Sequence, residues 1–180
     1  MKKVMVLIWR ISSGKDYAWD FLEEKFWLKH LGISSSLRII AKERGVKETR
    51  ENLIGIWREL AQNYWDWYLA EVLITRAQQE LLVISGPRQL WQLEYLKKYT
   101  RCLFVGIESY EYERYQRMLI RWKIWEDVTL EKFREVEKME EWWVQDVWKC
   151  LSLCNITIEN NWSLKEFEEK IQNIAAEFFK

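Results

Sequence analysis

The chain has 180 residues, long enough for one domain with a real hydrophobic core. Its 28 Lys and Arg balance 28 Asp and Glu, so no basic field marks it for nucleic acid, and its apolar runs are far too short to span a bilayer. Met1-Lys2-Lys3 before an apolar run has the outline of a secretion signal, but charged Lys15 and Asp16 follow with no small-residue cleavage site, so a cytoplasmic monomer is expected.

Residues 3–8 read as a buried first strand. A short loop leads to an amphipathic helix from Asp16 to Phe26, with Tyr17, Phe21 and Leu22 on one face. Leu28 to Leu31 reads as a short second strand. Ser34-Ser35-Ser36 can cap a helix from Leu37 to Arg44, which Gly45 ends. Thr49-x-x-Asn52 opens a helix to about Asn63, and another runs from about Tyr68 to Glu80. Leu81 to Ile84 is a buried strand, broken by Ser85-Gly86-Pro87-Arg88. Leu90 to Tyr99 is helical, Cys102 to Ile107 is a strand, and Glu111 to Arg121 is an Arg-rich helix. Trp122 to Val128 reads as a loop, followed by a charged helix from Thr129 to about Glu141. Asn155 to Ile158 is the last strand, and Ser163 caps the C-terminal helix. Apolar strands alternating with helices predict an α/β fold, a three-layer α/β/α arrangement with a parallel sheet of about five strands. Ligands of such sheets bind beyond the carboxyl ends of the strands.

The chemistry centres on Trp9-Arg10-Ile11-Ser12-Ser13-Gly14-Lys15-Asp16. The layout is that of a phosphate-binding loop, G-x-x-x-x-G-K-[ST], between a strand and a helix. Backbone N–H groups and the helix N-terminus would cradle a polyphosphate, Lys15 would neutralise its β and γ oxygens, and Asp16 would face a magnesium ion. Two positions depart from the pattern, Trp9 for the first Gly and Asp16 for Ser or Thr. Gly14-Lys15 alone reads equally as a chance dipeptide; the strand before and the helix after favour the loop. Cys102, Cys150 and Cys154 read as reduced core thiols, and His30 is the single histidine, so a zinc site lacks ligands. The aromatic wealth could serve base stacking, but no basic stripe accompanies it.

The order of motifs resembles the nucleoside monophosphate kinase group, and most nearly the deoxynucleoside monophosphate kinases, dephospho-CoA kinases and small adenylate-kinase-like proteins. Ser13-Gly14-Lys15-Asp16 is similar to the loop of deoxynucleotide kinases. Ser34 to Arg38 with Ala41-Lys42-Glu43-Arg44-Gly45 looks like the helix that holds the acceptor nucleotide. Val83-Ile84-Ser85-Gly86-Pro87-Arg88 looks like the family's D-G-x-x-R strand end. Arg114-Tyr115-x-Arg117-Met118-x-x-Arg121 resembles the opening of a lid, and Ile158-Glu159-Asn160-Asn161-Trp162-Ser163-Leu164 resembles the last strand and helix start. The resemblance implies a P-loop kinase fold with a helical lid. It places acceptor-binding helices at residues 34–80 and a lid at residues 117–146. It implies ATP and Mg2+ as cofactors and a nucleoside monophosphate as substrate. Ser36, Arg38 and Arg88 would bind the acceptor; Lys15, Arg88, Arg117 and Arg121 would carry the charge of the transferred group. Ser85 stands where the family has Asp, and Val136 and Met139 stand where relatives carry Arg. Two alternatives remain open at this point: a dephospho-CoA kinase-like enzyme, and a degenerate nucleotide-binding protein without turnover. Arg38 by itself reads as a solvated helix residue, and Arg114, Arg117 and Arg121 read also as a face paired with Glu108, Glu111 and Glu113.

Composition adds one anomaly, 13 Trp against 6 Gly and 1 Pro. Gly is at about half its ordinary share of roughly 7%. Trp9, Trp27, Trp65, Trp122 and Trp162 fall at predicted turns, caps or the phosphate loop, where Gly is favoured because the backbone adopts positive φ or approaches closely. Most Trp are therefore expected at positions that are Gly in the working protein. UGA is read as Gly in some bacterial lineages and as Trp in others, and translation with the wrong table would produce this swap.

Overall fold

The computed structural model describes residues 1–63, 67–121, 129–142, 146–161 and 163–180. Five parallel strands form one sheet: β1 (Lys3–Trp9), β2 (Lys29–Gly32), β3 (Leu81–Ser85), β4 (Arg101–Glu108) and β5 (Ile156–Glu159), in the spatial order β2-β3-β1-β4-β5. The helices are α1 (Lys15–Phe26), α2 (Ile33–Glu43), α3 (Arg50–Asn63), α4 (Tyr68–Arg76), α5 (Leu90–Tyr99), α6 (Glu111–Arg121), α7 (Leu130–Trp142), α8 (Val147–Ser152) and α9 (Leu164–Phe179). The expected α/β/α layering is what the chain adopts.

Alternation along β1 explains the two cores. Val4, Val6 and Ile8 face one side, where α2, α4, α5 and α8 supply Ile40, Leu73, Leu93 and Cys150. Met5, Leu7 and Trp9 face the other, against Ala18 and Leu22 of α1 and Phe167, Ile171 and Ala175 of α9. Successive strand side chains point to opposite faces, so a central strand buried on both sides must be apolar throughout. Burying each such side chain is worth about 1.5–3 kcal/mol. A third, small cluster of Met118 and Phe133 with Tyr115 and Leu130 joins α6 to α7.

Several boundaries differ from expectation. The second strand runs one residue later than predicted and ends on Gly32. α2 starts at Ile33, so the three serines lie in its first turn; the Ser35 hydroxyl accepts from the Gly32 N–H at 3.3 Å. α4 ends at Arg76, short of Glu80. α8, unmarked by any long apolar period, begins at Val147 after Asp146, whose N–H is held by the Arg88 carbonyl at 2.8 Å. The N-cap of the C-terminal helix is as predicted: Ser163 Oγ accepts from the Glu166 N–H while the Glu166 carboxylate accepts from the Ser163 N–H at 3.0 Å.

The tryptophans divide. Trp27 ends α1 at φ 55°, a left-handed position, and is 93% exposed. Such a backbone costs a non-glycine residue about 1–2 kcal/mol. Trp9 is the last residue of β1 and lies on a core face, not in the loop. Trp19, Trp57, Trp91 and Trp148 lie within helices, where right-handed backbone places no demand for glycine. The wider expectation thus keeps backbone support only at Trp27, with steric support at Trp9. Trp65, Trp122 and Trp162 lie outside the described residues.

Candidate active site

The loop after β1 curls through two left-handed residues, Ser12 at φ 59° and Gly14 at φ 105°. Gly14 is obligatory on two counts, since a Cβ there would also lie 2.3 Å from Asn160 Nδ2. α1 then starts at Lys15, and its first N–H groups have no partner within the helix. Beside the loop lies an open cavity of about 340 Å³ bordered by Ser12, Ser13, Gly14, Lys15, Asp16 and Arg117. The Ser13 Oγ is buried here and has no hydrogen-bond partner among the described residues.

A second open cavity, of about 620 Å³, adjoins it at the carboxyl ends of β2 and β3. Ser34, Ser35, Arg38, Gly86 and Arg88 border it, and so do Lys15 and Trp9. Lys15 and Trp9 are therefore shared by both cavities. The Lys15 ammonium meets the Asp16 carboxylate at 2.5 Å and lies 4.8 Å from the centre of the Trp9 ring and 4.0 Å from that of Trp19. The Arg88 guanidinium is 6.0 Å from the Trp9 ring, and a Cβ on Gly86 would meet that ring at 3.4 Å. The indole thus fills space between Lys15, Gly86 and Arg88.

Not every residue expected at the site borders it. Arg10 turns to Glu108 at 3.6 Å and stacks 3.1 Å over the ring of Trp148. Ile11 packs on the Met118–Phe133 cluster, where its carbonyl accepts from Arg114. Ser36 is fully buried and donates to the Leu69 carbonyl at 2.6 Å, so it fastens α2 to α4, and Ser34 and Ser35 stand at the cavity in its place. Arg38 borders the cavity and reaches Glu48 at 3.5 Å across an exposed pair. Arg117 is half-buried; its guanidinium donates to Ser109 Oγ at 3.2 Å and to the Asn160 carbonyl at 2.6 Å. Burial lowers its pKa from the ordinary range. Arg121 ends α6, and its side chain lies outside the described residues, as do Val136, Met139 and the loop Trp122 to Val128.

Arg114, expected on the same helix side as Arg117, is buried and structural. It pairs with Glu137 of α7 and donates to the Ser109 carbonyl at 3.0 Å, while Arg134 pairs with Glu111 at 2.7 Å. These two bridges tie α7 to α6, so the alternative reading of Arg114 as part of a face paired with Glu108, Glu111 and Glu113 gives way to a partner on α7.

His30 borders the larger cavity, a place that its sequence context does not mark. His30 Nε2 shares a hydrogen bond of 2.6 Å with Ser85 Oγ, and its ring stacks on Trp19 at 4.1 Å. Burial depresses its pKa to about 4, so it is neutral at physiological pH. The signal that finds it is register: Gly32 pairs with Ser85, which sets His30 two residues back on the neighbouring strand. No cluster of three or more His, Cys, Asp or Glu suited to a metal exists among the described residues. Burial also pushes Cys150 and Cys154 up to about 12, which fits core thiols.

A shikimate kinase from Bacteroides thetaiotaomicron superposes with a TM-score of 0.62 over 98% of each chain at 10% identity. A shikimate kinase from Acinetobacter baumannii in complex with shikimate gives 0.57 over 100% of this chain and 96% of the other, at 17% identity. The chain has a P-loop kinase fold. No protein-family model matches the sequence. A UPF0200/UPF0201 protein of Archaeoglobus fulgidus is 27% identical over 99% of this chain, which spans 56% of that relative's length. Among the described residues no helix is long and apolar enough to cross a membrane.

Proposed function

We propose that the chain is an ATP-dependent phosphotransferase that moves the γ-phosphoryl group to a nucleoside or deoxynucleoside monophosphate. The observation that supports this most is Lys15, which borders both cavities, the one at the phosphate loop and the one that Arg38 and Arg88 face. A donor polyphosphate on the loop and an acceptor phosphate near Arg38 and Arg88 would then meet at this ammonium. Residues 34–80 would serve as the acceptor side and residues 117–146 as the lid.

The residues fit the donor. The loop has the curl and orphaned Ser13 hydroxyl of an anion cradle. Mg2+ is commonly held by one or two carboxylates with phosphate oxygens and water, and Asp16 is the carboxylate at this loop. Bound Mg2+ would supply charge neutralisation. Lys15 would leave Asp16 for the phosphate oxygens, and Arg88 and Arg117 would flank the transferred group from the acceptor and donor sides. Catalysis would rest on positioning and electrostatics, with no covalent intermediate. A phosphate acceptor is favoured over a hydroxyl because a phosphate needs no general base. No Asp stands at the place early in the chain where a base for a hydroxyl acceptor is expected, and burial depresses His30 to about 4, which leaves it a weak base.

The Trp9 indole favours a second reading, a nucleotide-binding protein without turnover, because it stands between Lys15 and Arg88. A thermal-shift screen with ATP, nucleoside monophosphates and dephospho-CoA, run beside an ADP-release assay, tests both. Stabilisation by ATP and by a monophosphate, with release of ADP, is the expected result. Stabilisation by ATP without ADP release selects the second reading, and stabilisation by dephospho-CoA alone overturns the acceptor class.

A further inference from the structure

The phosphate loop is held from outside itself, by one residue beyond β5. Asn160 is buried, and its side-chain Nδ2 donates to the Ser13 carbonyl at 2.9 Å. Its backbone is fixed too: the N–H donates to the Glu108 carbonyl at 2.7 Å, and its carbonyl accepts from Ser109 Oγ at 2.8 Å and Arg117 Nη2 at 2.6 Å. We infer that Asn160 is the positioning residue that shapes the loop for a polyphosphate and sets Arg117 beside it. The inference rests on the reading of residues 9–16 as a polyphosphate cradle.

The physical step runs through one peptide plane. In a trans peptide the carbonyl and the following N–H point in opposite directions. Tying the Ser13 carbonyl to Asn160 therefore turns the Gly14 N–H away from Asn160. Asn160 does not border the cavity that Ser13, Gly14 and Lys15 line. The tie thus keeps a repulsive carbonyl oxygen off an anion and leaves the N–H free to donate to it. A Cβ on Gly14 would lie 2.3 Å from that Nδ2 and would have to push the Asn160 side chain off the loop. Because the same residue's carbonyl holds Arg117, loop and guanidinium are registered to one point. Arg117 is half-buried and lines that cavity, so a shift of this anchor moves a charge relative to the bound anion.

Two variants separate this role from simple packing. Asn160→Ala removes the donor; Asn160→Asp keeps the shape but replaces Nδ2 with an acceptor, and is the variant read if the alanine chain does not fold. Isothermal titration with inorganic tripolyphosphate and, separately, with a nucleoside monophosphate is run beside a melting curve. The expected result is tripolyphosphate binding weakened about tenfold, the effect of about 1.4 kcal/mol at one hydrogen-bonded peptide, with monophosphate binding unchanged. Wild-type affinity for tripolyphosphate in both variants overturns the inference, and so does equal weakening of both ligands with a lowered melting temperature. Absence of tripolyphosphate binding in the wild-type chain overturns instead the cradle reading on which the inference rests.

Discussion

Replacing Trp9 by glycine is the perturbation with opposed effects on stability and binding. The residue is only 8% exposed and packs on the α1–α9 core face, so the change removes a nearly buried indole from the end of the central strand. Large aromatic deletions cost about 3–5 kcal/mol, and glycine in a strand adds about 0.5–1 kcal/mol. The ring borders two open cavities, so water refills much of the space and the total sits near the low end, about 3 kcal/mol. For a chain of this size each kcal/mol moves the melting temperature by about 2–4 °C, so the unliganded variant melts about 6–12 °C lower. Binding moves the other way. The indole stands 4.8 Å from the Lys15 ammonium and 6.0 Å from the Arg88 guanidinium, in the space a transferred phosphoryl group would cross. Clearing it is expected to raise ATP affinity at least tenfold. At a concentration about one hundred times the dissociation constant, ATP then returns about 2.7 kcal/mol. The assay is a melting curve with and without ATP and Mg2+: a lower unliganded midpoint and a larger ATP-dependent rise than wild type. A lower midpoint with no larger rise refutes the argument that Trp9 obstructs the cradle. The codons add an independent check, since UGG at positions 9 and 27 contradicts the recoding explanation.

Three further outcomes follow from the geometry. Arg38→Lys and Arg88→Lys should each raise the KM for the monophosphate about tenfold while leaving that for ATP level, because a lysine cannot make the planar bidentate contact; a rise for ATP instead puts them on the donor side. Arg114→Ala leaves Glu137 without its partner in a little-exposed site and should cost about 3 kcal/mol, read as a melting shift with the β-sheet retained. His30 has a folded pKa of about 4, below its ordinary 6.5, so the unfolded chain binds more protons between those values. That contribution to stability is fully present above about pH 6.5 and is lost as pH falls towards 4, and a His30→Gln chain should lose less stability over that window; a histidine titration midpoint near 6.5 by NMR contradicts the burial argument.

The sheet was legible because its three central strands, β1, β3 and β4, are short apolar runs between helices, and β1 with the Gly14-Lys15 turn marks itself by period and spacing. What sequence missed depends on separations that local pattern does not encode. Arg114 shares a helix side with Arg117, yet its partner Glu137 is 23 residues on, in a helix whose docking only the fold supplies. Ser36 differs from Ser34 and Ser35 by helix phase alone, and a start at Ile33 rather than Leu37 decides which hydroxyls reach the cavity. The His30–Ser85 contact spans 55 residues and follows from the pairing of β2 with β3. Asn160 was visible in a motif, but its grip on Ser13 joins residues 147 apart.

Whether Lys15 joins donor and acceptor in a phosphoryl transfer is read by following ADP and nucleoside diphosphate by phosphorus NMR. ATP, Mg2+ and a panel of ribo- and deoxyribonucleoside monophosphates are incubated with the wild-type, Trp9→Gly and Lys15→Ala chains. Both products are expected from the first two chains, faster with Trp9→Gly, and none from Lys15→Ala at an unchanged melting temperature. Product at an equal rate from Lys15→Ala, or none from either of the other two chains with any acceptor, would contradict that role for Lys15.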